Sequence, residues 1–220
     1  MTEAGGERRW YDDACGTALA LELVGERWSL LIVRELMFGG RRFGEIKAAL
    51  GTVSANVLVQ RLEGLERAGI LARRTLPPPA SARVYELTPW GYEAEEAIKA
   101  LGRWAVRSPA HDPSLPLSPA ALMLSFRTMY AGGMAARIGF RIGREAFVAD
   151  AREAPGDMRI ARGDPHEGTA LVLTGCAEAI AAMIYGGRPA EEAGVAIEGD
   201  RALLARFARA FPLPAKAPVG

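Results

Sequence analysis

The chain has 220 residues, of which 50% are hydrophobic and 24% charged, with 27 Lys and Arg against 26 Asp and Glu. At about 150 residues per domain, this is a globular composition with enough length to bury a core in one large domain or two small ones. The formal charge of +1 excludes a uniformly basic coat for nucleic acid but leaves room for a local basic patch.

Taken in chain order, the first residues carry Glu3, Glu7, Asp12 and Asp13 where a signal peptide would need an apolar core. The longest apolar-looking stretch, 176–185, is too short to span a bilayer and contains Glu178. The two cysteines, Cys15 and Cys176, form neither a disulfide framework nor a zinc knuckle. These features predict a cytoplasmic protein that makes no membrane contact.

Residues 15–24 form an apolar helical run stopped by Gly25. A second helix over 27–37 places Trp28, Leu31, Ile32 and Leu36 at helical spacing and stops at Gly39 and Gly40. A short third helix, 43–50, closes at Gly51. A fourth, 54–68, has Leu58, Leu62 and Leu65 on one stripe and Gly69 as its stop. Residues 70–76 and 83–88 read as two strands around the tip PPPASA. A last helix over 91–106 sets Ala94, Ala97, Ile98, Leu101, Trp104 and Ala105 on one side. Pro109, Pro113, Pro116 and Pro119 then mark 108–119 as a linker between a first domain, 1–107, and a second, 120–214, with 215–220 as a tail.

Three helices followed by a hairpin is the order of a winged helix-turn-helix, a DNA-binding motif. In the 54–68 helix the leucine stripe must face the core, so the opposite face carries Asn56, Gln60, Glu63 and Arg67. Asn and Gln pair bidentately with adenine in the major groove, and here they occupy the N-terminal turns that reach base edges. Ser54 is a natural N-cap, and Val57 and Arg61 complete the candidate set on this helix. From Arg34 to Arg83 there are nine Lys or Arg against four Glu, a net of +5. Within that window Arg41, Arg42, Arg73, Arg74 and Arg83 are candidate phosphate contacts on both sides of the duplex. The plainer alternative is a solvated helix face and a soluble arginine surface, and Glu63 favours DNA only if it pairs with Arg67 or accepts from a cytosine amine.

Several further features occur together: Cys15 opening the first helix, Gly25 and Trp28 at the entry to the second, and Arg41-Arg42-Phe43 with Glu45. The register Leu62-x-x-Leu65-x-x-x-Gly69 and the ending Tyr85-Glu86-Leu87-Thr88-x-x-Gly91 complete the pattern. From Asp13 to Trp104 the chain thereby resembles the HxlR-type winged-helix transcriptional regulators of bacteria, with Gly16 standing where that family often has Pro. The resemblance implies binding to a double-stranded DNA operator as a homodimer, with the first and last helices of the domain forming most of the dimer contact. It also implies that Cys15 can serve as a redox or electrophile sensor, as in some members. An inert cysteine is the alternative, because Asp12 and Asp13 beside it oppose thiolate formation.

In the second half, a helix over 120–130 precedes strands over 134–142 and 144–152 about a corner at Gly143. Strands at 158–162 and 169–174, a helix at 177–185, a strand at 195–197 and a helix at 201–211 follow, an α+β succession. With Thr174-Gly175, Gly186-Gly187 and Gly199-Asp200 framing the helices, 122–213 resembles the sterol-carrier-protein-2-like domain. That resemblance implies an antiparallel sheet covered by helices, often with an apolar tunnel for lipids. Met123, Phe126, Phe140, Phe147, Met183, Phe207 and Phe211 are the side chains expected near such a cavity, with ordinary core packing as the alternative for each.

No catalytic constellation, metal spacing or phosphate-binding loop is legible, and no cofactor is expected; His111 and His166 stand apart from any ligand pattern. The function expected is therefore a dimeric, sequence-specific transcriptional regulator modulated by a small apolar or lipid-like effector in the second domain. The rivals are a thiol-based sensor acting through Cys15 and a lipid carrier whose winged helix serves protein contacts. An effector-driven switch further requires the second half to touch the winged helix or its dimer partner, and the expected place is 91–106, with Trp104 at the contact.

Overall fold

The computed structural model of the protein describes residues 11–78 and 81–218. Glu3 and Glu7, the hairpin-tip residues Pro79 and Ala80, and the last two residues of the tail lie outside the described residues.

The first half contains α1 (Gly16–Val24), α2 (Ser29–Leu36), α3 (Phe43–Leu50), α4 (Ala55–Arg67), β1 (Leu71–Thr75), β2 (Arg83–Leu87) and α5 (Pro89–Ala105). Its core closes over Ile32, Val33 and Leu36 of α2, Ile46 of α3 and the α4 stripe Leu58, Leu62 and Leu65, all buried. The ends of the helices follow from local chemistry. The Ser54 hydroxyl accepts from the Val57 amide at 3.3 Å to start α4, and Thr88 accepts from the Gly91 amide at 3.0 Å, with Pro89 in the first helical turn, to start α5. Gly91 is required by packing, because a Cβ there would stand 2.0 Å from the Ile70 carbonyl oxygen.

The two-stranded wing carries an extra bridge that the sequence does not announce. The Arg41 amide donates to Tyr85 O at 2.9 Å and the Tyr85 amide donates to Arg41 O at 2.8 Å, so the segment between α2 and α3 joins β2. β1 and β2 pair antiparallel, with Arg73 opposite Tyr85.

The second half opens with α6 (Pro119–Met129) and builds a five-stranded sheet from β3 (Ala136–Ile142), β4 (Glu145–Ala151), β5 (Met158–Arg162), β6 (Leu171–Gly175) and β7 (Ala196–Gly199). The helices α7 (Ala177–Ile184), α8 (Ala190–Ala193) and α9 (Arg201–Arg209) complete it. The strand order is β5-β4-β3-β6-β7. The sheet is mixed and not wholly antiparallel, because β6 pairs parallel with β3. After the β3-β4-β5 meander the chain crosses one face of the sheet and lays β6 on the free side of β3, and such a crossing returns a strand in the same direction. Gly139 makes room for the crossing, since a Cβ on it would lie 1.8 Å from Pro165 O. Val148 and Val172, opposite Gly139 in the ladder, are buried on the same face. Helices α6 and α9 cover the other face, where Phe126 sits 5.6 Å from Phe140 and 5.5 Å from Phe207.

The two halves share one hydrophobic core, with α6 packed on both α2 and α5. Phe38, just past α2, lies 5.7 Å from Phe147 of β4 in an edge-on arrangement, with the Arg127 guanidinium of α6 over its ring. Arg127 also pairs with Glu95 of α5 at 3.0 Å, and Arg103 donates to the Thr128 carbonyl. The expected contact between α5 and the second half is therefore present, but Trp104 takes no part in it. It is 73% exposed, because α5 turns the opposite flank toward α6.

Candidate nucleic-acid interface

Helix α4 packs Leu58, Leu62 and Leu65 inward, which fixes the opposite face outward. Asn56, Gln60, Glu63 and Arg67 are all exposed on it. Val59, 40% exposed, stands among them and was not a candidate from sequence, although its position three residues after Asn56 puts it on the same face. An apolar group there has the chemistry to meet a thymine methyl beside the amides that read adenine.

Two candidates on the same helix are turned elsewhere. Val57 is half-buried and packs against the core. Arg61 bends back to Glu26 at 2.8 Å and donates from Nε to the Arg27 carbonyl at 3.2 Å, tying α4 to the α1–α2 turn. This arrangement braces the motif, and Arg61 reaches a phosphate only by leaving Glu26.

The arginine set divides in the same way. Arg42, at the N-cap of α3, is exposed, as are Arg73, Arg74 and Arg83 on the wing. Arg73 pairs with Glu66 at 3.0 Å and Arg74 with Glu86 at 2.9 Å. Pairs this exposed are worth about 0–1 kcal/mol, so a phosphate can displace them. Arg41 is the correction: it is 7% exposed, with Nη1 on Glu35 at 2.9 Å and Nη2 on Glu145 at 2.7 Å. Its place in the basic window suggested a phosphate contact, but the fully buried Glu35 and the part-buried Glu145 hold its guanidinium inside the protein.

Cys15 is exposed ahead of α1. The Thr17 amide, then the Thr17 hydroxyl and the Ala18 amide, hold its thiol below the usual range. The Asp13 carboxylate accepts from the Cys15 amide at 2.8 Å.

The seven side chains expected at an effector cavity form a packed layer. Phe126, Phe140, Phe147, Phe207 and Met123 are fully buried, with Met183 and Phe211 nearly so. Phe211 lies 4.8 Å from Phe126 and 4.7 Å from Phe207, so these rings fill the space between one another. One polar pair, Ser125 Oγ and the Tyr185 hydroxyl at 2.7 Å, borders this layer, and burial pushes the Tyr185 phenol up so that it stays protonated. An open cleft between the halves is lined by Glu95, Glu96, Lys99, Arg127, Asp157 and Arg159, a charged surface unlike an apolar tunnel. Among the described residues no group of three or more His, Cys, Asp or Glu could hold a metal ion, and no helix is long and apolar enough to cross a membrane.

The HxlR-like helix-turn-helix family matches residues 23–112. The HTH-type transcriptional regulator YvaP of Bacillus subtilis (strain 168) is 36% identical over 86 residues, 39% of this chain and 80% of that protein. The chain belongs to the HxlR-like helix-turn-helix family. A second relative, the HTH-type transcriptional regulator YtfH of Escherichia coli (strain K12), is 34% identical over 98 residues, 44% of this chain and 78% of that protein. Among solved structures, the reduced form of the transcriptional regulator YodB from B. subtilis has 31% sequence identity and a TM-score of 0.41, covering 46% of this chain and 100% of that one. The HxlR-like match ends at residue 112, before α6, and begins after Cys15.

Proposed function

We propose that the protein is a sequence-specific DNA-binding transcriptional regulator that works in the cytoplasm as a homodimer and catalyses no reaction. The observation that carries this is the outer face of α4, where Asn56, Val59 and Gln60 stand exposed together above a fully buried leucine stripe. In this reading α4 enters the major groove, while Arg42 on one side and Arg73, Arg74 and Arg83 on the other meet phosphates. The second copy covers exposed apolar side chains of α1, where Leu19 and Leu21 stand on different sides, and the flank of α5 that carries Trp90, Leu101 and Trp104. Selection of operators from random duplexes tests the reading. A selected site must bind more tightly than random DNA, and the logarithm of the binding constant must fall linearly with that of salt. Equal binding to both would refute sequence specificity, and retention indifferent to salt would favour a carrier protein.

The chain divides in this proposal into a winged helix at 1–107, a connection at 108–119 and a sterol-carrier-protein-2-like domain at 120–214, followed by a short tail. A sheet covered on one face by helices that meet in an aromatic layer supports the last assignment. An apolar effector would enter that layer by displacing Phe126, Phe207 and Phe211 from one another. Native mass spectrometry of the purified full chain for a retained apolar molecule tests it.

A second reading has its own support in the exposed Cys15 with its lowered thiol: a sensor of oxidants or electrophiles acting through α1. Cys15→Ser would abolish a response to diamide on operator binding if this reading holds and leave it intact otherwise.

A further inference from the structure

An ionic chain, buried at Glu35 and Arg41 and part-exposed at Glu145 and Arg162, joins the second half to the wing. Glu35 of α2 is fully buried and accepts from Arg34 Nη2 at 2.8 Å, Arg41 Nη1 at 2.9 Å and Ser118 Oγ at 2.6 Å. Arg41 gives its other amino group to Glu145 Oε1 at 2.7 Å. The second oxygen of Glu145 accepts from Arg162 Nη2 at 2.7 Å, and Arg162 Nη1 donates to the Phe38 carbonyl at 2.6 Å. Glu145 opens β4 at the β3–β4 turn, two residues before Phe147, the ring on which Phe38 rests.

The significance lies in what the Arg41 backbone does. It bridges to the wing, exchanging both hydrogen bonds with Tyr85, and Tyr85 faces Arg73 in the ladder with the Arg73 guanidinium 5.6 Å from its ring centre. Arg41, Tyr85 and Arg73 thus form one row across the wing, anchored at its inner end by a carboxylate of the other domain. Arg41 is buried between Glu35 and Glu145, and a buried guanidinium that loses one of its two carboxylates loses part of the compensation for its desolvation, so its side chain stays with both and its backbone stays with its side chain.

We propose that Glu145 is a positioning residue for DNA binding: through Arg41 it holds the wing where Arg73, Arg74 and Arg83 meet the duplex. The second half then sets DNA affinity through the wing and not through α4. Any displacement of the β3–β4 turn, whatever its cause, moves the wing arginines as a group. This rests on the DNA-binding reading above, and it predicts an effect opposite to simple electrostatics. Removing an acidic side chain should ordinarily strengthen binding to a polyanion. Removing this one should weaken it.

The test uses the full chain carrying Glu145→Gln, which keeps the side-chain shape and removes the charge, with Glu145→Asp as a second variant that keeps the charge but shortens the reach. Hydrogen exchange of the free protein reads the clamp directly. The Arg41 and Tyr85 amides should exchange at least about tenfold faster in both variants, while the α4 amides are unchanged. On selected operator DNA, Glu145→Gln should lower the salt slope by up to about three, because three arginines leave together. In that background Arg83→Gln should have little further effect, whereas Asn56→Ala should cost its full amount. Unchanged exchange at Arg41 and Tyr85, or effects of Glu145→Gln and Arg83→Gln that simply multiply, would overturn the proposal. Wild-type protein that shows no salt-dependent DNA binding would instead remove the functional reading, and with it Glu145's role in DNA binding, while the exchange result would still report on the clamp itself.

Discussion

Replacing Trp104 by Ala should break a dimer without disturbing the fold. The ring is 73% exposed near the end of α5, and Trp90 and Leu101 on the same flank are 51% and 48% exposed. A tryptophan side chain has roughly 200 Å² of surface, so about 150 Å² of it is open in the single chain. At about 25 cal/mol per Å², complete coverage by a second copy would contribute ~3–4 kcal/mol per ring, and half coverage about 2. Two rings are lost in a symmetric dimer, so even half coverage removes about 4 kcal/mol, a shift of roughly a thousandfold in the dissociation constant. Sedimentation equilibrium of wild type and Trp104→Ala over a wide concentration range measures this, and denaturant melts of the dilute monomer measure the fold. The expected result is a strongly weakened dimer with an unchanged monomer midpoint. An unchanged dimer constant would mean that a different face is covered, and a destabilised monomer would mean that Trp104 packs within its own chain.

Asn56→Ala and Gln60→Ala should each cost about 1–3 kcal/mol on a selected operator and little on random DNA, read by fluorescence anisotropy; equal losses on both would remove their base-reading role. Neutralising Arg42, Arg73, Arg74 or Arg83 singly should lower the salt slope by about one, whereas Arg61→Gln should lower protein stability and leave the slope unchanged. The fragment 1–107 should unfold at lower denaturant than the full chain, since it uncovers Phe38 and removes Ser118 and Glu145 from buried partners; equal midpoints would show that the two halves do not stabilise each other. Because its thiol is lowered, Cys15 should reach its full alkylation rate at a lower pH than free cysteine does, in a Cys176→Ser background; coincident pH profiles would show that the α1 amides do not act on the sulfur.

The features legible in the sequence were those decided within a few residues. Ser54 with the Leu58, Leu62 and Leu65 stripe specifies α4 and its outward face because cap and period are local chemistry. The Thr88-Pro89 start of α5 is legible for the same reason. Arg41 shows the limit. An arginine in a basic window looks like a phosphate contact, and nothing nearby points to Glu145, 104 positions away. The partners of Arg61 are likewise remote in sequence, Glu26 and Arg27 in the turn before α2. The parallel β3–β6 pairing was hidden because strand direction is set by where the crossing chain lands, not by strand composition. Trp104 marks a further limit: an apolar side chain announces a need for cover without saying whether its own chain or another supplies it, and its exposure shows only that its own second half does not.

The seat of Phe38 on Phe147, flanked by the Arg41–Glu145 and Arg162–Glu145 pairs, bears on how such regulators can be recombined. A chimera that joins this winged helix to a different sensor through residues 108–118 would preserve the connection and lose the joint. To transmit a signal, the incoming domain would need a carboxylate at its hairpin turn within reach of Arg41, a flat apolar ring for Phe38 and a cation for that carboxylate's second oxygen. Three side chains, more than the linker, define what can be exchanged.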